Sequence, residues 1–398
     1  MTRSAPQTHD TTDDLGWIRT VLGGTEAGRH RPYLVRPSAK DPQLLLPLRP
    51  RAAARAGLRR NHDDRPVKER LMGLAGQQLA LAGALGIAGG DTLHLGSFSL
   101  IDELATALGE GELIPVIGLG PPRRNRKPVV QLVRPDGVTV GFAKIGWSTL
   151  TKQLIRNEAA WLQRVDGRLP STLRSPAVLH QATFATAETG AGREEFSSVD
   201  VVVTAPLRTS VLSRRKGPLS LETVAAVARL ESSGLQTVAE TPMIRSWRSS
   251  PLVDLVDLDQ LVNRHGSATV ELGMWHGDLT PWNTATVRGI SSVWDWEFAD
   301  QDRPVGFDAL HLLFESERRS GPRREQAAID RLVNEASSVL EALPGKTVTT
   351  SVDAVIDLYL CELLAREARL AGEGWTPKHL GQLDDRLRLT IQQRLDRA

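Results

Sequence analysis

Apolar and polar positions change period along the chain, and the changes mark out elements. Between Leu113 and Val140 the pattern changes to short β-rich runs, ELIPVIGLG, then PVVQLV, then VTVGFAKI, joined by Gly, Pro and basic turns, which predicts three antiparallel strands. A helical stretch is predicted from about Thr149 to Val165, followed by strands near Val178–Ala187 and Asp200–Thr204. Strands with a helix among them suggest a small α+β lobe. After Pro206 the pattern is mostly helical through Arg397, interrupted by one hairpin at about 283–297. Upstream, Pro32–Val35 and Leu44–Leu48 read as two short strands around a turn at Asp41–Pro42. Apolar residues from Arg65 to Leu85 recur near helical spacing. The expected division is an extension of unknown role (1–95), a small β-rich nucleotide-binding lobe (96–205) and a large, mainly helical catalytic lobe (206–398).

Composition narrows the function classes. In 398 residues, 49 basic and 47 acidic side chains nearly cancel, so charge-driven nucleic-acid binding is not expected. The single cysteine, Cys361, excludes a disulfide framework and fits a reducing, cytoplasmic setting. Residues 1–14 are polar and lack the apolar stretch of a signal peptide, and Leu74–Gly90 is too short and broken to span a bilayer.

The segment Trp275–Glu297, WHGDLTPWNTATVRGISSVWDWE, carries the chemistry. Asp278 and Asn283 lie five apart with Pro281 between them to keep the segment from being helical, and Asn283 opens a strand. Arg288–Gly289 is the turn. A two-residue turn sets 283 opposite 294, and a three-residue turn sets it opposite 293. Either register brings Asp295 beside Asn283, making an oxygen-rich site suited to Mg²⁺. Asp278 can then accept a proton from an attacking hydroxyl.

In the strand before Ile145, alternation puts Val138, Val140, Phe142 and Lys144 on one face. On the following helix Glu158 falls inside the apolar stripe Leu154, Ile155, Trp161, Leu162, Val165. An ammonium and a carboxylate on apolar faces are costly unless paired, and pairing them satisfies both. The alternative is a snorkelling Lys144, with Glu158 paired to Lys152 or Arg164.

HGDLTPWN, VWDWE, GFDALHLL (306–313), FAKI and NEAAWL together resemble the aminoglycoside phosphotransferase and choline-kinase family, relatives of the protein kinases, over roughly residues 110–398. The resemblance implies a two-lobed α+β, protein-kinase-like fold with an N-terminal extension. It also implies transfer of the γ-phosphate of ATP, with Mg²⁺, to a small-molecule hydroxyl, with a sugar or aminoglycoside-like polyol the leading acceptor. By it, Asp278 is the catalytic aspartate and Asn283 and Asp295 hold the metal. Lys144 orients the α- and β-phosphates, Glu158 positions Lys144, and His276 and Asp308 brace the catalytic loop. Gly118 and Gly120 would approach the nucleotide, and the linker Thr204–Leu207, at Ala205, would meet its base through backbone groups. The glycine run lacks the third glycine of G-x-G-x-x-G, the basic run Arg123, Arg124, Arg126, Lys127 reads as a solvated turn, and Trp282 is the aromatic candidate for a substrate contact. Protein partners are not indicated, and a nucleotide-binding scaffold without turnover is the alternative function.

Overall fold

The computed structural model describes residues 14–22, 24, 30–62, 77–78, 80, 90–120, 127–185, 198–207, 214–215, 219–318, 324–345, 350–372 and 381–397. Of the helix expected over Arg65–Leu85 only 77–78 and 80 are among them, and these are helical; the rest of it and the arginines of the basic run lie outside. The chain divides into two compact units, Thr8–Gln163 with Pro176–Val211, and Arg164–Ser175 with Leu212–Ala398.

The first unit begins with α1 (Asp14–Leu22), the hairpin β1 (Arg31–Ser38) and β2 (Asp41–Pro47), α2 (Arg51–His62), β3 (Asp91–Leu95) and α3 (Ser99–Ala107). Next come β4 (Ile114–Gly118), β5 (Val129–Val133), β6 (Thr139–Gly146) and α4 (Thr149–Val165). After β7 (Leu173–Arg174), which belongs to the second unit, β8 (Val178–Ala185) and β9 (Ser198–Thr204) complete one eight-stranded sheet in the order β3-β1-β2-β4-β5-β6-β9-β8. Every neighbouring pair is antiparallel.

The N-terminal strands are therefore continuous with the rest of the sheet. Leu44 and Leu45 of β2 pair with Gly118 and Ile117 of β4. Ile18 and Leu22 of α1 and Leu104 of α3 share one apolar cluster with Tyr33, Val35, Leu45, Ile117, Ala143 and Val203. Ala53, Ala54 and Leu58 of α2 form another with Leu34, Leu46 and Val116. Alternation along a strand puts such sets on opposite faces, so the sheet is covered from both sides. The first turn differs from the expectation: it lies at Ala39–Lys40, and Pro42 sits inside β2 opposite Pro37, where the register shifts.

Ser148 and Thr151 begin α4 with reciprocal capping. The Thr151 hydroxyl accepts from the amides of Trp147 and Ser148 at 2.9 and 2.8 Å.

The second unit holds β7, β10 (Arg214–Arg215), α5 (Leu221–Ala228), β11 (Gly234–Thr237), α6 (Pro242–Arg248) and α7 (Leu258–His265). Then follow β12 (Thr269–Trp275), β13 (Thr284–Val287), β14 (Ile290–Val293), β15 (Asp300–Pro304), α8 (Phe307–Arg318), α9 (Glu325–Glu341), α10 (Val352–Gly372) and α11 (Gly381–Leu395). Its two small sheets run β10-β13-β14-β7 and β11-β12-β15. The expected hairpin is β13–β14. The three-stranded sheet is an addition to the expected pattern, because β12 is buried along nearly its whole length and so lacks the alternation that marks a half-exposed strand. The fold is α+β. Among the described residues no helix is long and apolar enough to cross a membrane.

Candidate functional site

β12 delivers the chain to His276, and the next residue has to turn sharply. Gly277 adopts φ +80°, and a Cβ there would lie 2.2 Å from the carbonyl oxygen of Phe298, so both the conformation and the close approach call for glycine. Asp308, in the first turn of α8, holds this corner by accepting from the amides of His276 and Gly277 at 2.9 and 3.3 Å. From α10, Arg366 donates to the Gly277 carbonyl at 2.5 Å while its guanidinium lies 3.7 Å from the centroid of the Phe298 ring.

Asp278 follows, its amide donating to Nδ1 of His276 at 3.2 Å. Asn283 closes the loop: its amide donates to the Thr280 carbonyl, and its Nδ2 donates to Oδ2 and to the backbone oxygen of Asp278 at 2.8 and 3.0 Å. The other carboxylate oxygen, Oδ1, lies 3.4 Å from Nε2 of His311 on α8. Burial acts to raise the Asp278 pKa. The His311 hydrogen bond and the positive charge of Arg366 outweigh it and hold the carboxyl below its ordinary range, so Asp278 is an anion at neutral pH.

Its neighbours are pushed towards their neutral forms. Burial raises Asp308 to about 7 against the pull of its two amide donors, and burial lowers His276 to about 4, keeping that ring neutral. Because Nδ1 of His276 accepts, its proton belongs on Nε2. The ring packs 4.5 Å from Trp296, whose indole is fully buried.

The hairpin takes the two-residue register. Val287 faces Ile290, Thr284 faces Val293, and the Trp294 amide donates to the Asn283 carbonyl at 3.1 Å. Arg288 and Gly289 both have positive φ, the backbone that such tight turns require. Asp295 leaves β14 in the left-handed region, φ +71°. It has a carboxylate oxygen within 4.8 Å of one from Glu297, itself buried.

In the first unit, Nζ of Lys144 lies 2.6 and 2.7 Å from the two carboxylate oxygens of Glu158, and the carboxylate is all but buried. Lys152 instead donates to Ser198, and Arg164 pairs with Glu231. Of the two faces of β6, Gly141, Ala143 and Ile145 are the buried set. The row ending in Lys144 is only half covered, Val138 being exposed. The lysine thus stands on the more open face, beside Val202 in the neighbouring strand.

The backbone candidates have partners already. The amides of Leu119 and Gly120 both donate to the Gln43 carbonyl of β2, and the Ala205 amide donates to the Ala177 carbonyl at 2.8 Å. Lys127 is buried, contrary to the solvated turn expected of it, and Trp282 is half-buried. His311, Tyr359 and Arg366 were not singled out by the sequence. The signal that could have found the first of them is the i, i+3 spacing of Asp308 and His311, which puts both on one helix face.

No protein-family model matches the sequence, and no curated protein matches it. Solved structures do. A protein from Ralstonia eutropha provisionally named an aminoglycoside phosphotransferase has 14% identity and a TM-score of 0.46, over 75% of this chain and 96% of that one. Aminoglycoside phosphotransferase APH(4)-Ia, in a complex with ADP and hygromycin B, has 13% identity and a TM-score of 0.44, over 74% and 98%. A choline/ethanolamine kinase family protein from Mesorhizobium loti has 15% identity and a TM-score of 0.29, over 72% and 99%. At such identities and TM-scores the likeness carries no function across, and a function has to come from the chain's own residues.

Proposed function

We propose that the chain is an ATP-dependent phosphotransferase that moves the γ-phosphate to a hydroxyl of a small molecule, with a sugar or aminoglycoside-like polyol as the first acceptor class. The observation that supports this most is the state of Asp278: a mostly enclosed carboxylate kept ionised, with one oxygen engaged by Asn283 and the other facing His311. Such a group is suited to accept the proton of an attacking hydroxyl.

The donors beside it fit Mg²⁺. Asn283 spends Nδ2 on Asp278, which leaves its carbonyl oxygen for a cation, and Asp295 and Glu297 offer carboxylate oxygens close together. A set of hard oxygens is what Mg²⁺ takes. Asn283 and Asp295 would hold the metal, with Glu297 near enough to join them. Bound MgATP supplies the transferable phosphoryl group and the positive charge that offsets its oxygens. Lys144, fixed by Glu158, would meet the α- and β-phosphate oxygens, and the linker at Ala205, whose amide is already spent on Ala177, would meet the base through its carbonyl. Arg366, Asp308 and His276 hold the loop so that Asp278 need not reorganise when it takes the proton.

The test is ADP release by the full-length protein with Mg²⁺ and ATP across a panel of sugars, aminoglycosides and amino alcohols. Release that depends on one class of acceptor supports the reading and names the substrate. Tight nucleotide binding with no acceptor-stimulated release from a panel including all three classes favours the scaffold without turnover.

A further inference from the structure

His311 is fully enclosed on α8 and its two ring nitrogens face different partners, Nε2 towards Oδ1 of Asp278 at 3.4 Å and Nδ1 towards the hydroxyl of Tyr359 on α10 at 3.0 Å. The ring lies edge-on to Trp275 and Tyr359, with centroids 6.5 and 6.3 Å away. We infer that Tyr359 and His311 form a positioning relay for Asp278: the Tyr359 hydroxyl donates to Nδ1, which fixes the imidazole as the Nε2–H tautomer and makes Nε2 a donor to the carboxylate. This rests on the reading of Asp278 as the base.

The chemistry supports each link. Tyr359 is wholly buried, and that burial, with the negative charge of Glu315 nearby, keeps its phenol protonated and able to donate. With Nδ1 accepting from that hydroxyl, the proton that faces Asp278 sits on Nε2. Asp278 is then held by one donor on each oxygen, Asn283 Nδ2 on Oδ2 and His311 Nε2 on Oδ1. Two such anchors fix the carboxylate plane, and each oxygen keeps a lone pair for an incoming hydroxyl. The 3.4 Å separation is at the long end for a hydrogen bond, as is common at a catalytic carboxylate before substrate arrives. Arg366 anchors the loop backbone at Gly277 and leaves the carboxylate itself to Asn283 and His311.

Two measurements test the relay. In ¹⁵N-histidine spectra of the intact protein, the signals lost in His311→Gln identify His311, which is expected as the Nε2–H tautomer in the wild type and as a tautomer mixture in Tyr359→Phe. An Nδ1–H tautomer in the wild type would overturn the inference whether or not an acceptor is known. In turnover assays, His311→Ala is expected to lose about 10- to 100-fold in kcat, the usual cost of an orienting partner, with KM for MgATP unchanged. His311→Gln, whose amide nitrogen can stand in for Nε2–H, should regain most of that loss. Equal losses in both variants, or a loss carried by KM for MgATP, would make His311 a packing residue only. Absence of turnover in the wild type with every acceptor would count against the phosphotransferase reading, and the tautomer result then decides the relay by itself.

Discussion

The side-chain amide of Asn283 donates to the Asp278 carboxylate at 2.8 Å, and this one contact ties the end of the loop to its beginning. It gives Asn283 two tasks, orienting the carboxylate with its nitrogen and offering its oxygen to a cation. Asn283→Ala is therefore expected to weaken Mg-nucleotide binding by about 10- to 100-fold as well as to slow turnover. Calorimetric titration with MgATP measures the first effect. Unchanged affinity would remove Asn283 from the metal site.

Lys144 and Glu158 are a nearly enclosed ion pair, with the lysine 15% and the glutamate 2% exposed. Breaking such a pair from one side leaves a buried charge uncompensated, at a cost of about 3–5 kcal/mol, whereas replacing both partners by apolar residues costs far less. Glu158→Leu alone is expected to destabilise strongly, and Lys144→Met with Glu158→Leu to recover much of the loss. Turnover should fall in each single variant and hardly further in the double variant, because the two act as a unit. Denaturation curves and rates over the four-variant cycle check both. Full additivity would contradict the pairing.

Asp308 gives a pH signature. Its native pKa is raised to about 7 from 3.8, so between those values the native state keeps a proton that the unfolded chain has released. Raising the pH through that window withdraws the stability this group contributes. His276 works in the opposite sense, its native pKa lowered to about 4 from 6.5, and its contribution is lost as the pH falls through that range. The two slopes oppose each other over their shared window. Asp308→Asn removes one of them, so wild-type stability minus that of Asp308→Asn is expected to fall from pH 4 to pH 7. Denaturant midpoints at half-unit pH steps measure it, and a flat difference would show that Asp308 is not held protonated.

The N-terminal strands are the place where sequence and structure part most. No candidate site residue lies in residues 1–95. Yet Val35, Leu45 and Leu46 are wholly buried in the sheet that carries Lys144. A chain starting at residue 96 is expected to lose cooperative folding of that sheet. Leu46→Ala in the full chain should cost about 2–5 kcal/mol, readable from the urea midpoint. A truncation that melts like the full chain would refute this.

The hairpin and the Lys144–Glu158 pair were legible because each is local. Turn chemistry at Arg288–Gly289 limits the register to two choices, and a charge inside an apolar stripe demands a partner. What could not be read is what distant packing decides. The β2–β4 pairing joins residues more than seventy positions apart. β12 is buried too evenly to show a period. His311 looks like one more member of an α8 face that is buried almost throughout, and only its two polar neighbours, Asp278 and Tyr359, reveal a different role.

The most direct measurement is a comparison of Asp278→Asn and Asp295→Asn in nucleotide titrations at fixed Mg²⁺, followed by turnover with the acceptor that the screen identifies. Asp278 is assigned to the acceptor hydroxyl, so Asp278→Asn is expected to bind MgATP almost as the wild type does and to lose about 10²- to 10⁴-fold in rate. Asp295 is assigned to the metal, so Asp295→Asn is expected to lose affinity for MgATP and rate together. An Asp278→Asn protein that no longer binds nucleotide, beside an Asp295→Asn protein that binds it normally, would contradict the assignment of both residues.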